Sequence, residues 1–176
     1  MNRLFNLLGL ACCFLLLSCH SEPSLQQFYV DHQNKPNFVV VDLPMSLIFS
    51  DRDSLPEAAK KTIRSIEKAN VLALPLNGDN RAQYDNALNT LKHILTNGSY
   101  DLLLRLNFSD KHLQLRYLGK NGAIDEFVLL GYDDENGFVV VRLLGDDMNP
   151  KALIHLIELM HDSRAQMELE DIEDIF

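Results

Sequence analysis

Cysteine is scarce in this chain: Cys12, Cys13 and Cys19 are all it has, and none follows Cys19. A disulfide framework is therefore excluded downstream, and with it thiolate metal sites and cysteine catalysis. Basic charge is short as well, with 16 Lys and Arg against 25 Asp and Glu, for a formal net charge of −9. No basic stripe interleaved with aromatics occurs, so the chain would repel a phosphate backbone and nucleic acid is not an expected partner. Common catalytic signatures are missing: there is no G-x-S-x-G elbow, no phosphate-binding glycine loop and no G-x-G-x-x-G. The histidines His32, His93, His112, His155 and His161 are scattered, and no two have the i, i+4 spacing of a helical zinc site. Neither a metal nor a cofactor is expected.

What the chain does have begins at its first residue. Met1-Asn2-Arg3 is followed by an apolar run from Leu4 to Leu17 and then by Ser18-Cys19, the charged, apolar and small-residue parts of a secretory signal. The run is about fourteen residues, and a helix needs about 20 to cross the hydrocarbon core, so it reads as a segment to be removed. Leu16-Leu17-Ser18-Cys19 resembles the bacterial lipobox. That resemblance implies a diacylglycerol on the Cys19 thiol, cleavage just before it and acylation of the new amino group. Each buried methylene contributes about 0.8 kcal/mol and a single acyl chain binds only reversibly, so a durable anchor takes two or three. The expected layout is a signal peptide over 1–18, a lipidated tether over 19–24, one globular domain over 25–163 and an acidic tail over 164–176. Membrane contact is then through the lipid on Cys19. His20, in place of the aspartate that retains enteric lipoproteins in the inner membrane, points to the outer membrane, facing the periplasm.

Along the body, Ser24 precedes Leu25, Phe28, Tyr29 and His32, an amphipathic helical stripe. Phe38 to Leu43 is a β-rich run ended by Pro44, and Met45 to Phe49 is short and apolar. Ser54-Leu55-Pro56-Glu57 reads as a capping box, opening a helix that carries Leu55, Ala59, Ile63 and Ile66 on one face and ends near Asn70. Val71 to Leu76 is a strand, and Asn77-Gly78-Asp79-Asn80 a turn able to cap the next helix. Tyr84, Ala87, Leu88, Leu91, Ile94 and Leu95 form that helix's stripe, with Asn97-Gly98 as a left-handed stop. The period then changes from 3.6 to 2. Leu102, Leu104, Leu106 and Phe108 alternate, as do Leu113, Leu115 and Tyr117, and turn residues at 109–111, 119–122 and 133–137 divide the stretch into four strands. Asn149-Pro150 caps a last helix carrying Leu153, Leu156, Ile157 and Met160 inward. The acidic tail still places Ala165, Leu169, Ile172 and Phe176 at helical spacing. The order predicts an α+β fold: a mixed, largely antiparallel sheet of about six strands, ending in a four-strand meander, with helices on one face.

Two acidic clusters invite a chemical reading. Ser50-Asp51-Arg52-Asp53 resembles the D-x-D of haloacid-dehalogenase-type phosphatases, and Gly145-Asp146-Asp147-Met148-Asn149 their metal-binding motif. The resemblance implies Asp51 as nucleophile, Asp53 as acid and Asp146 and Asp147 as magnesium ligands. Against it, Pro150 stands where the last family acid belongs, and that family uses a parallel sheet. Asp133 to Asn136 lacks the alternation of a calcium loop and reads as a hairpin turn. No catalytic residue is assigned.

The whole mature chain, from Cys19 onward, resembles a family of uncharacterised lipoproteins of Bacteroidota, known as a domain of unknown function. The resemblance rests on the lipobox, Phe38 to Leu43, Tyr100-Asp101-Leu102-Leu103, Ile124 to Val128 and Val139 to Asp146. It implies an envelope location and no known activity. The expected function is a non-enzymatic binding or interaction module with a possible envelope protein as partner, the alternative being a hydrolase of unrecognised type.

Overall fold

The computed structural model describes residues 23–45, 56–120 and 123–154. Outside them lie the apolar start with Cys19, Ser46 to Leu55 with Asp51 and Asp53, Asn121-Gly122 of one hairpin, and the chain from His155 onward. The elements are α1 (Leu25–His32), β1 (Val39–Pro44), α2 (Glu57–Ser65), β2 (Ile66–Pro75), α3 (Arg81–Asn97), β3 (Asp101–Phe108), β4 (Lys111–Lys120), β5 (Ala123–Asp133) and β6 (Gly137–Met148). Residues 150–154 begin a further helix.

The six strands form one sheet in the order β1-β2-β6-β5-β4-β3. The α+β class, the six strands and the closing meander are as the sequence predicts. Every neighbouring pair is antiparallel, so the mixed character drops out among the described strands. The reason is topological: α2 brings β2 back beside β1 in the opposite direction, and the meander closes by laying β6 against the free side of β2.

Side chains alternate across the sheet. Leu72, Leu74, Val128, Leu130, Phe138 and Val140 share the first face, where α1 adds Leu25, Phe28 and Tyr29 and α3 its stripe from Tyr84 to Leu95. Complete burial of each large apolar side chain stabilises by about 1.5–3 kcal/mol, so this is the main core. Ser24 caps α1, its hydroxyl accepting from Gln27 N–H at 3.1 Å. The Tyr29 hydroxyl is shared between the carbonyls of Asn70 and Val140 at 3.0 and 2.9 Å, tying α1 to β2 and β6.

The second face carries a smaller cluster at one end, with Ala69, Leu115, Ile124, Phe127, Met148 and Leu153. Leu153 makes the last helix depart from the single helical face that the sequence suggests. Asn149 Oδ1 accepts from the N–H groups of Lys151 and Ala152 at 2.9 and 3.2 Å, turning the chain out of β6. Leu153 is then buried on the face opposite α1 and α3, while Ile154 stays 37% exposed.

Three local features differ from the sequence reading. The helix expected to reach Asn70 ends at Ser65, and Ile66 passes directly into β2. Pairing of Ala69 with Leu143 and of Asn70 with Arg142 outweighs the helical spacing there. Ser54 lies outside the described residues, and Pro56 occupies the cap position of α2 without a side-chain hydrogen bond. Gly98 does not end α3 in a left-handed conformation, since its φ is −83°. A Cβ there would lie 2.6 Å from the Ile94 carbonyl oxygen, so close backbone approach is what calls for glycine. Finally, a bulge at Leu103 places Leu102 opposite Arg116 while Leu104 faces Leu115, so Leu102 leaves the face shared by Leu104, Leu106 and Phe108.

Candidate interaction face and buried polar network

The most connected polar groups lie under the helices. Glu126 on β5 is 3% exposed. Its carboxylate accepts from Arg142 Nε and Nη2 at 2.7 and 2.8 Å, and from the Tyr100 hydroxyl at 2.8 Å. Arg142 Nη1 donates in turn to Gln26 of α1. Burial alone would lower the Arg142 guanidinium, but the hydrogen bonds and charge of Glu126 raise it above its usual value. Burial, together with Glu126, pushes the Tyr100 phenol up. Arg116 donates to the carbonyls of Leu95 and Tyr100 at 2.8 and 3.2 Å, placing a cation at the end of α3, where the helix dipole favours one. Burial followed by the charge of Arg105 lowers it. Each group is engaged by protein, and the arrangement locks both helices to the sheet.

Of the carboxylates singled out by sequence, Asp51 and Asp53 lie outside the described residues. Asp146 and Asp147 are exposed near the end of β6, with Asp147 at φ 51°. They close an antiparallel strand, whereas the phosphatases need a parallel sheet to join their two motifs. Asp133 serves its own turn: its Oδ1 accepts from the N–H groups of Glu135 and Asn136 at 2.9 and 2.5 Å. Burial would raise this carboxyl, but those amides, the Asn136 side chain and Lys111 hold it below the usual range. Among the described residues no group of three or more His, Cys, Asp and Glu is placed to hold a metal ion. Cys19 lies outside the described residues.

The second sheet face is different in kind. Beyond the cluster around Phe127 it continues as Val41, Val71, Val139, Val141, Leu129, Leu113, Leu104, Leu106 and Phe108, all partly or largely exposed. Val41, Leu104 and Phe108 are 38%, 40% and 63% exposed. Gly131 sits between Leu113 and Val139, and a Cβ there would touch both at 3.6 and 3.5 Å. Its missing side chain floors a cleft of about 420 Å³ with Leu113 and Val139, bordered by Phe108, Lys111 and Asn136. The sequence reading marked these residues as strand interior and did not identify the surface. Val139-Val140-Val141 is apolar on both faces, and such a run gives no sign of which face goes uncovered.

No curated protein and no solved structure matches the chain. Residues 29–156, from within α1 to just past the start of the last helix, match the sequence model of one family, and the chain belongs to it: the Domain of unknown function (DUF4252).

Proposed function

We propose that this protein is a membrane-anchored envelope lipoprotein whose folded domain acts as a non-enzymatic interaction module. The observation that carries the module is the apolar half of the second face that no described helix covers, from Leu104 and Phe108 across Leu113 to Val139. Contiguous exposed apolar surface on a domain of this size marks protein or membrane contact sites. A sheet presents it rigidly, so little ordering is lost when a partner lands.

The anchor rests on Leu16-Leu17-Ser18-Cys19 and the charged and apolar residues before it. In this reading 1–18 is removed, Cys19 carries the lipid, 19–24 is the tether, 25–163 is the domain and 164–176 is an acidic tail. With His20 in place of an aspartate after the lipid cysteine, the domain then faces the periplasm from the outer membrane.

Two measurements test the two halves. Cells fed radioactive palmitate should label the wild-type chain but not Cys19→Ala, and undiminished label in the variant sinks the anchor. Crosslinked pull-down from membranes should recover a defined envelope protein with the wild type and lose it with the Leu104→Lys, Phe108→Lys double variant. The same recovered proteins from both would sink the module.

A further inference from the structure

β3 is an edge strand: among the described residues nothing pairs with its side away from β4. An open edge presents unpaired N–H and C=O groups, and proteins blunt it with proline, charge, a bulge or a short length. At the other edge of the sheet, β1 is six residues long, carries Asp42 and ends in Pro44. β3 has eight residues and no proline, and its Leu104 and Phe108 are exposed. The bulge at Leu103 leaves 104–108 regular. That stretch is bounded by the bulge at one end and, at the other, by the turn at Ser109, where φ is 54°.

The stretch is complementary to itself. Phe108 pairs with Lys111 across a two-residue turn, so Phe108, Leu106 and Leu104 bond to β4 while the backbone groups of Asn107 and Arg105 point to the open edge. When a second copy is laid antiparallel with Leu106 opposite Leu106, Arg105 meets Asn107 and Leu104 meets Phe108, each twice. The outward backbone groups then face one another, and the apolar side chains of both strands come together on the second face. Each copy's bulge at Leu103 falls opposite the other's turn at Ser109, so the regular stretches match end to end. Arg105 forms no ion pair among the described residues. Across from it, Asn107 Oδ1 lies 2.9 Å from His112 Nδ1 and keeps a lone pair to accept a guanidinium N–H. A centre at Arg105 would set two arginines face to face, and a centre at Asn107 would push Arg105 past the other strand, opposite Ser109.

We propose that two copies of this chain pair through their β3 edges, with Leu106 on the two-fold axis, joining the two six-stranded sheets into one. A contact of this kind uses the same patch on both copies and closes on itself. So short a stretch makes a small interface, and the association is a weak one, populated at high local concentration. The pairing stands on β3 alone and does not need the interaction-module reading.

The test is disulfide trapping in membranes of cells that make the full chain, with the wild type as the control for Cys12, Cys13 and Cys19. Facing residues at non-hydrogen-bonded antiparallel positions lie about 4.5 Å apart at Cα, within disulfide range. Under mild oxidation Leu106→Cys should give a linked dimer about tenfold or more above that from Leu104→Cys or Phe108→Cys alone. Leu104→Cys and Phe108→Cys, co-expressed with different tags, should link to each other, which reads the register from two exposed positions even if Leu106→Cys folds poorly. Failure of that mixed pair to link, equal linking at all three positions, or a link only to a different protein would overturn the pairing. A register-specific dimer in cells that yield no envelope partner upholds the pairing and sinks the interaction module, and a recovered partner without the dimer does the reverse.

Discussion

Arg142 on β6 and Glu126 on β5 meet diagonally across their strand pair in a two-pronged contact, Nε to Oε1 at 2.7 Å and Nη2 to Oε2 at 2.8 Å. The side chains are 12% and 4% exposed, so water does little to screen them. A buried ion pair adds little net stability, because desolvation offsets the attraction, yet breaking one leaves a charge without compensation. Arg142→Met should therefore cost about 3–5 kcal/mol in urea unfolding. Adding Glu126→Leu should recover most of that loss, and equal destabilisation in the single and double variants would refute the account.

How much of this was legible in the chain differs by feature. The meander was, because Leu104, Leu106 and Phe108 alternate and turn residues separate the strands. The passage from α2 to β2 was not, because Ile63 and Ile66 also fit a helical stripe, and the pairing of Ala69 and Asn70 with Leu143 and Arg142 is a contact distant in sequence. The Arg142–Glu126 pair was equally hidden, since its two members lie 16 residues apart on neighbouring strands. The open face needed three dimensions. Apolar residues on both sides of β2, β5 and β6 say that two faces are available for burial, and α1 and α3 cover the first.

Gly137 closes the β5–β6 turn at φ +114°, and a Cβ there would lie 2.1 Å from the Leu74 carbonyl oxygen. Backbone and neighbouring strand both oppose a side chain, so Gly137→Ala should lower stability by about 2 kcal/mol or more. Gly78 has nothing within 4 Å of its Cβ position, and Gly78→Ala should be close to neutral. Thermal melts of the two variants make the comparison.

Acid should loosen the same turn. The Asp133 carboxyl is held below its usual range in the folded chain, so it contributes stability that is present above its unfolded value. That contribution is lost as pH falls through the lower folded value. Asp133→Asn should melt earlier than the wild type at neutral pH, and the difference should shrink as pH drops below about 4. A gap of constant size across that range would show that the carboxylate charge is not what the turn uses.

Phe108 and Phe127 lie on the same face of the sheet and should answer substitution in opposite ways. Phe127 is 1% exposed, inside the cluster that receives Leu153, and Phe108 is 63% exposed beside the cleft. Phe127→Ala removes a packed ring and should cost about 3–5 kcal/mol. Phe108→Lys gives up little buried area and should change stability by less than about 0.5 kcal/mol. If the uncovered half works by contact, Phe108→Lys also loses the crosslinked partner while the domain stays folded. A large loss of stability from Phe108→Lys would instead mean that this ring is buried by the protein's own chain, and the open surface would have to be redrawn without it.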